Sequence, residues 1–132
     1  MTNEKVFAMS FAKVYPVLIA KAERKGRTRD EVLAVTAWLT GYTNERLEEL
    51  LNSEITYGDF FRKAPAPNPA RKQIKGSVCG VKVETIEEPL MQEIRYLDKL
   101  VDELAKGKPV EKILGTNLRG KNKKPERIPV RL

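Results

Sequence analysis

The sequence predicts a mainly α fold, a compact multi-helix bundle with at most a short two-stranded β element. Three observations predict it. Apolar residues recur at steps of three and four in several segments, hydroxyl-led caps and glycine stops bracket those segments, and a single short stretch alternates with the period of a strand. The 132 residues, 41% hydrophobic and 33% charged, are enough for one domain with a real core, and none of their apolar runs approaches the ~18 residues of a membrane span.

The first helical pattern runs from about Ser10 to Lys25, with Val14, Val17, Leu18 and Ala22 on one face and Gly26 as a stop. Pro16 lacks the N–H that a helix interior requires, which places the regular start near Pro16 after a short turn. Thr28-Arg29-Asp30-Glu31 forms a capping box ahead of a helix carrying Val32, Val35, Thr36 and Leu39 up to Gly41. Thr43 then caps a helix with Leu47, Leu50 and Leu51, and Thr56 to Lys63 adds a turn or two presenting Phe60 and Phe61. Ala64-Pro65-Ala66-Pro67-Asn68-Pro69 breaks the pattern. Ser77 to Glu84 is the strand candidate, rich in valine, with the stretch Lys5 to Met9 as its expected partner.

Thr85-Ile86-Glu87-Glu88 with Pro89 reads as a capping box opening the longest helix, about 86–106, which Gly107 ends. Leu90, Ile94, Leu97, Val101 and Leu104 step by four and three. That seam suits an internal core and also offers a homodimer contact through helix 86–106. Pro109 to Leu114 reads as a last short helix. The expected organisation is therefore one helical domain over residues 1–114 and a basic, flexible tail over 115–132.

Charge is unevenly placed. Residues 1–105 balance 16 Lys/Arg against 16 Asp/Glu, whereas residues 106–132 hold nine basic side chains against Glu111 and Glu126, so the whole net charge of +7 belongs to the C-terminal stretch. With no His and one Cys, at position 79, the chain contains no internal disulfide, Cys/His zinc site or His-based triad. The first residues do not read as a secretory signal, so a cytoplasmic setting is expected.

Several motifs weaken on inspection. Gly115 to Asn122 imitates a phosphate-binding loop, but Asn122 stands where Ser or Thr should and the strand before it is missing. Leu33 to Asn52 fits a helix-turn-helix template, yet its second helix carries Glu45, Glu48 and Glu49 against Arg46, a charge that phosphates repel. Cys79 reads as a small apolar side chain. The pairs Glu87 with Glu88 and Asp98 with Asp102 read as parts of a solvated face, with Lys99 and Glu103 pairing beside the second. Arg24, Lys25, Arg27 and Arg29 cluster at the first interhelical turn, where cations oppose the helix dipole.

Val14-Tyr15-Pro16-Val17-Leu18-Ile19-Ala20-Lys21-Ala22-Glu23-Arg24-Lys25-Gly26-Arg27-Thr28, with Trp38-Leu39-Thr40-Gly41-Tyr42, resembles the small prokaryotic proteins of domain-of-unknown-function family 2200. A second block, Lys75 to Glu84 followed by Pro89 to Leu100, resembles it too, and the likeness spans about residues 4–114. The resemblance implies a compact, mainly helical domain and carries over no catalytic or ligand-binding residue.

The functional reading is a non-catalytic binding or adaptor domain, with no cofactor, no metal and no membrane contact. RNA or DNA, held without sequence preference, is the expected partner of Arg119, Lys121, Lys123, Lys124, Arg127 and Arg131. A secondary basic patch is Arg62, Lys63, Arg71, Lys72 and Lys75, in a stretch free of acids between Phe60 and Val83. The alternatives are a protein-interaction or homo-oligomerisation module, with Ile128, Val130 and Leu132 docking on a neighbour, and a small-ligand or enzyme domain with a pocket near Tyr96, Cys79 and the proline loop.

Overall fold

A computed structural model of the chain describes residues 3–78 and 80–117. Seven α-helices occur among them: α1 Asn3–Ala8, α2 Phe11–Glu23, α3 Arg29–Thr40, α4 Asn44–Leu51, α5 Tyr57–Arg62, α6 Pro89–Ala105 and α7 Val110–Asn117. Two-residue strands β1 Ser77–Val78 and β2 Val81–Lys82 form an antiparallel hairpin. The fold is thus mainly α with one small β element. Helix α6 packs against α2, α3, α5 and α7, and one hydrophobic core runs through all of them.

Helix α2 begins at Phe11, five residues before the expected start, and Pro16 lies inside it. Tertiary hydrogen bonds set that start. The Phe11 N–H donates to the Ile55 carbonyl at 3.0 Å and the Tyr57 N–H to that of Met9 at 2.7 Å, tying the α1–α2 corner to the α4–α5 link. The buried face is also different: Phe11, Tyr15, Ile19 and Ala22 point inward, while Val17 is 63% exposed beside exposed Pro16. An interior proline costs about 3 kcal/mol, which burial of two aromatic rings at ~2 kcal/mol or more each is enough to offset.

The Thr28 box caps α3 as expected, and Val32, Val35, Thr36 and Leu39 are buried on it together with Leu33 and Thr40. Gly41 ends the helix in the left-handed region, at φ 82°. Thr43 and Thr56 each cap the following helix by accepting a backbone N–H. The start of α6 is displaced from the expected one. Glu88, not Thr85, caps it by accepting the Met91 N–H at 2.8 Å, and the Thr85 hydroxyl instead donates to the Lys82 carbonyl at 2.7 Å. Pro89 sits at the first helical position, where its missing N–H costs nothing.

The valine-rich stretch does not pair with residues 5–9, of which 5–8 belong to α1. Its chain reverses between Val78 and Val81 and pairs with itself, Ser77 opposite Lys82 and Val78 opposite Val81. Gly80, at φ 80°, supplies a backbone conformation that the tight reversal favours. The α6 seam is covered by the same chain: Ile94, Leu97, Val101 and Leu104 are each no more than 2% exposed. A row of rings completes the core. Tyr15, Phe11, Phe60 and Tyr42 stack in sequence with centroid separations of 4.9, 4.1 and 4.8 Å.

Candidate functional site

The arginines of the two expected basic clusters are largely consumed inside the fold. Arg27 holds Glu31 with two nitrogens, at 3.0 and 2.7 Å, and donates through Nη1 to the Leu104 and Lys108 carbonyls, closing the C-terminal end of α6. Arg29 grips Glu48 with both terminal nitrogens, so an acid that counted against DNA reading joins α3 to α4. In the secondary patch, Arg71 is bound to both oxygens of Glu93 at 2.9 Å and to the Asn68 carbonyl, and Arg62 pairs with Asp59 while lying over the Phe7 ring. Lys63, Lys72 and Lys75 are exposed and take part in no salt bridge among the described residues. The patch therefore narrows to three lysines around the proline loop. Arg119, Lys121, Lys123, Lys124, Arg127 and Arg131 lie outside the described residues, as does Cys79.

Glu87 and Glu88 are exposed as expected, but the Asp98/Asp102 pair is structural. Asp98 is bonded to Arg95 at 2.9 Å, and Asp102 bridges Lys21 and Lys106 at 3.4 and 3.1 Å. Both carboxylates are only 19% exposed, so they are not the solvated face expected of them. Burial pushes the Asp98 carboxyl above the usual range, against the opposing pull of Arg95. Lys99 pairs with Glu103 as expected, but is 8% exposed and lies beside Gly76 and the Ser77 carbonyl. Among the described residues no three His, Cys, Asp or Glu side chains come together in a way that could hold a metal ion, and no helix is long and apolar enough to cross a membrane.

A concave site of about 390 Å³ opens between the α3–α4 turn and the proline loop. Tyr42, Leu50, Ile55 and Pro65 provide its apolar surface, and Arg46 and Lys63 its charge. Gly41 makes the wall possible. The Ala66 N–H donates to the Thr40 carbonyl and the Asn68 N–H to that of Leu39, both at 3.0 Å, pulling the loop so close that a Cβ on Gly41 would stand 2.6 Å from the Ala66 Cβ. Tyr42 caps the ring stack, and its hydroxyl donates to the Phe60 carbonyl at 2.7 Å. Burial raises the pKa of its hydroxyl, while the nearby Arg46 charge opposes that shift. With its proton committed to a backbone carbonyl, this phenol presents a ring face, not an acid or base.

A family model described as "Uncharacterized protein conserved in bacteria (DUF2200)" matches residues 5–115. The chain belongs to this family. A solved structure, "Crystal structure of uncharacterized protein SP1917", is similar to the DUF2200 chain with 51% sequence identity and a TM-score of 0.87, covering 91% of this chain and 98% of that one. No curated protein matches.

The cleft of this DUF2200 protein is not where the sequence reading put a pocket. Tyr96 is 2% exposed in the core, and the proline loop opens toward Tyr42 instead. Of the expected site residues, only Lys63 lines it. Tyr42 and Arg46 stood only in the family block and the helix-turn-helix template, and no local pattern links them to Lys63, 17 or more positions away in sequence. The available signal was Gly41, followed at a distance by alternating alanine and proline, small residues that let two backbones meet.

Proposed function

We propose that this protein is a non-catalytic helical binding domain that holds a polyanion, RNA or DNA, by charge without reading its sequence. The division among its cations supports the reading. Arg27, Arg29, Arg62 and Arg71 are paired with carboxylates of the fold, whereas Lys63, Lys72 and Lys75 are exposed and take part in no salt bridge among the described residues, and the chain's net +7 comes from residues 106–132. Lysines are compact, hydrated charges that hold phosphates without fixing orientation. Arg119, Lys121, Lys123, Lys124, Arg127 and Arg131 would supply most of the contacts.

The test is the salt dependence of binding to a single-stranded RNA and a duplex DNA of arbitrary sequence. Log K should fall against log salt by about 0.7 to 0.9 per phosphate neutralised, and replacing Lys121, Lys123 and Lys124 together by Gln should remove about half of a slope near 4 to 5. An unchanged slope would move the contact to Lys72 and Lys75, to be tested by their own replacement. If neither nucleic acid binds at low salt, the reading is wrong.

A further inference from the structure

The cleft beside Tyr42 has a chemistry that suits a molecule much smaller than a nucleic acid. Its volume of about 390 Å³ lies within the usual range for small-ligand sites, roughly 300 to 1,000 Å³. Its surface is mostly apolar, and the charged side chains that line it are both cations, Arg46 on α4 and Lys63 at the end of α5. We propose that this cleft binds a small organic carboxylate, its apolar body against Tyr42, Leu50 and Ile55 and its charge between Arg46 and Lys63.

Three features carry the choice of ligand. The floor is rigid, since Tyr42 is stacked on Phe60 at 4.8 Å and anchored by its hydroxyl, so an apolar group meets a preformed surface. The cations are available. Lys63 has no salt bridge among the described residues, and the partner of Arg46 is Glu49, one turn along the same helix, with side chains 57% and 66% exposed. An ion pair in water of that kind contributes little, so a carboxylate held over an apolar floor can take the guanidinium at small cost. Two cations match one anionic head, and the mostly apolar lining leaves little to solvate a second charge. The Tyr42 hydroxyl keeps its proton in the hydrogen bond to the Phe60 carbonyl, so this phenol offers the ligand neither an acid nor a base.

This proposal shares Lys63 with the polyanion reading, but the two are tested separately, since the variants of that test leave Lys63 and Arg46 in place. The experiment is an amide-shift titration of the full chain with 4-phenylbutyrate, and with 4-phenylbutylamine and 4-phenylbutanol as cationic and neutral counterparts of similar shape. The carboxylate should perturb the amides of Tyr42, Thr43, Arg46 and Lys63 and bind about tenfold or more tightly than either counterpart, a difference of about 1.4 kcal/mol. Lys63→Gln and Arg46→Gln, both on exposed side chains, should each weaken it by about three- to tenfold, with Lys112→Gln as an unaffected control. Equal binding of the amine or alcohol would overturn the proposal. So would shifts confined to another surface, no shifts at about 10 mM probe, or full affinity in both Gln variants.

Discussion

Tyr15 and Tyr57 carry the same hydroxyl into the same core with opposite fates. The Thr36 hydroxyl donates to the Val32 carbonyl at 2.8 Å, so the Tyr15 hydroxyl, 2.7 Å from the Thr36 oxygen, donates to it, and the chain of bonds is complete. The Tyr57 hydroxyl has no hydrogen-bond partner among the described residues, although the residue is 2% exposed, and burial pushes its pKa well above the ordinary value. A buried donor left unpaired costs about 1 to 3 kcal/mol, whereas removing it removes the penalty. Tyr57→Phe should therefore keep the ring packing against Phe61 at 5.1 Å and leave stability unchanged or raised by up to about 1 kcal/mol. Chemical denaturation measures this. A loss of more than about 1 kcal/mol would show that the hydroxyl finds a partner, buried water included.

At the scale of elements, the α2–α3 turn is held by more than its own cap. Glu31 accepts from the Thr28 N–H at 2.9 Å and from Arg27, and Arg27 reaches the carbonyl end of α6. These bonds, led by the Arg27 guanidinium, lower the Glu31 carboxyl from 4.5 to about 2. An acid with a depressed folded-state pKa stabilises the fold above its unfolded pKa, and that contribution is lost as pH falls through the folded value. Because the Glu31 side chain is 30% exposed, screening reduces the contribution to about 1 to 2 kcal/mol. Glu31→Gln should cost that much at pH 7, and the gap between wild type and variant should close as pH falls from about 4.5 toward 2. Denaturant melts at several pH values would show it. A gap that persists undiminished at pH 2 would place the effect in packing instead of charge.

For the whole molecule, α7 closes the core among the described residues. Ile113 is 1% exposed and Leu114 packs against the same cluster. Ending the chain after Asn117 should therefore leave a cooperative thermal transition in circular dichroism with a midpoint within about 4 °C of the full chain, the shift that about 1 kcal/mol produces at this size. Loss of cooperativity would mean that residues beyond 117 complete the core. Ending it after Leu104 should abolish the transition, because Ile113 and the Arg27 bond to the Lys108 carbonyl go together.

Helix existence and most caps were legible because their causes are local. Thr28, Thr43 and Thr56 stand next to the N–H groups they satisfy, and Gly41 stands where a left-handed residue ends α3. The α6 seam was legible because spacing by three and four is a property of the helix itself. One error arose where a distant partner chose between local options: the Ile55 carbonyl starts α2 before Pro16. Another was a contest between neighbours, in which Glu88 takes the cap of α6 and Thr85 bonds back to Lys82. Charge count was likewise written in the sequence, but which cations stay free was not. Arg29 and Arg71 look like Lys63 and Lys72 in composition, and only packing brings Glu48 and Glu93 within reach of the two arginines. The cleft depends on tertiary structure altogether, since its wall forms where the loop at Ala66 closes against Gly41.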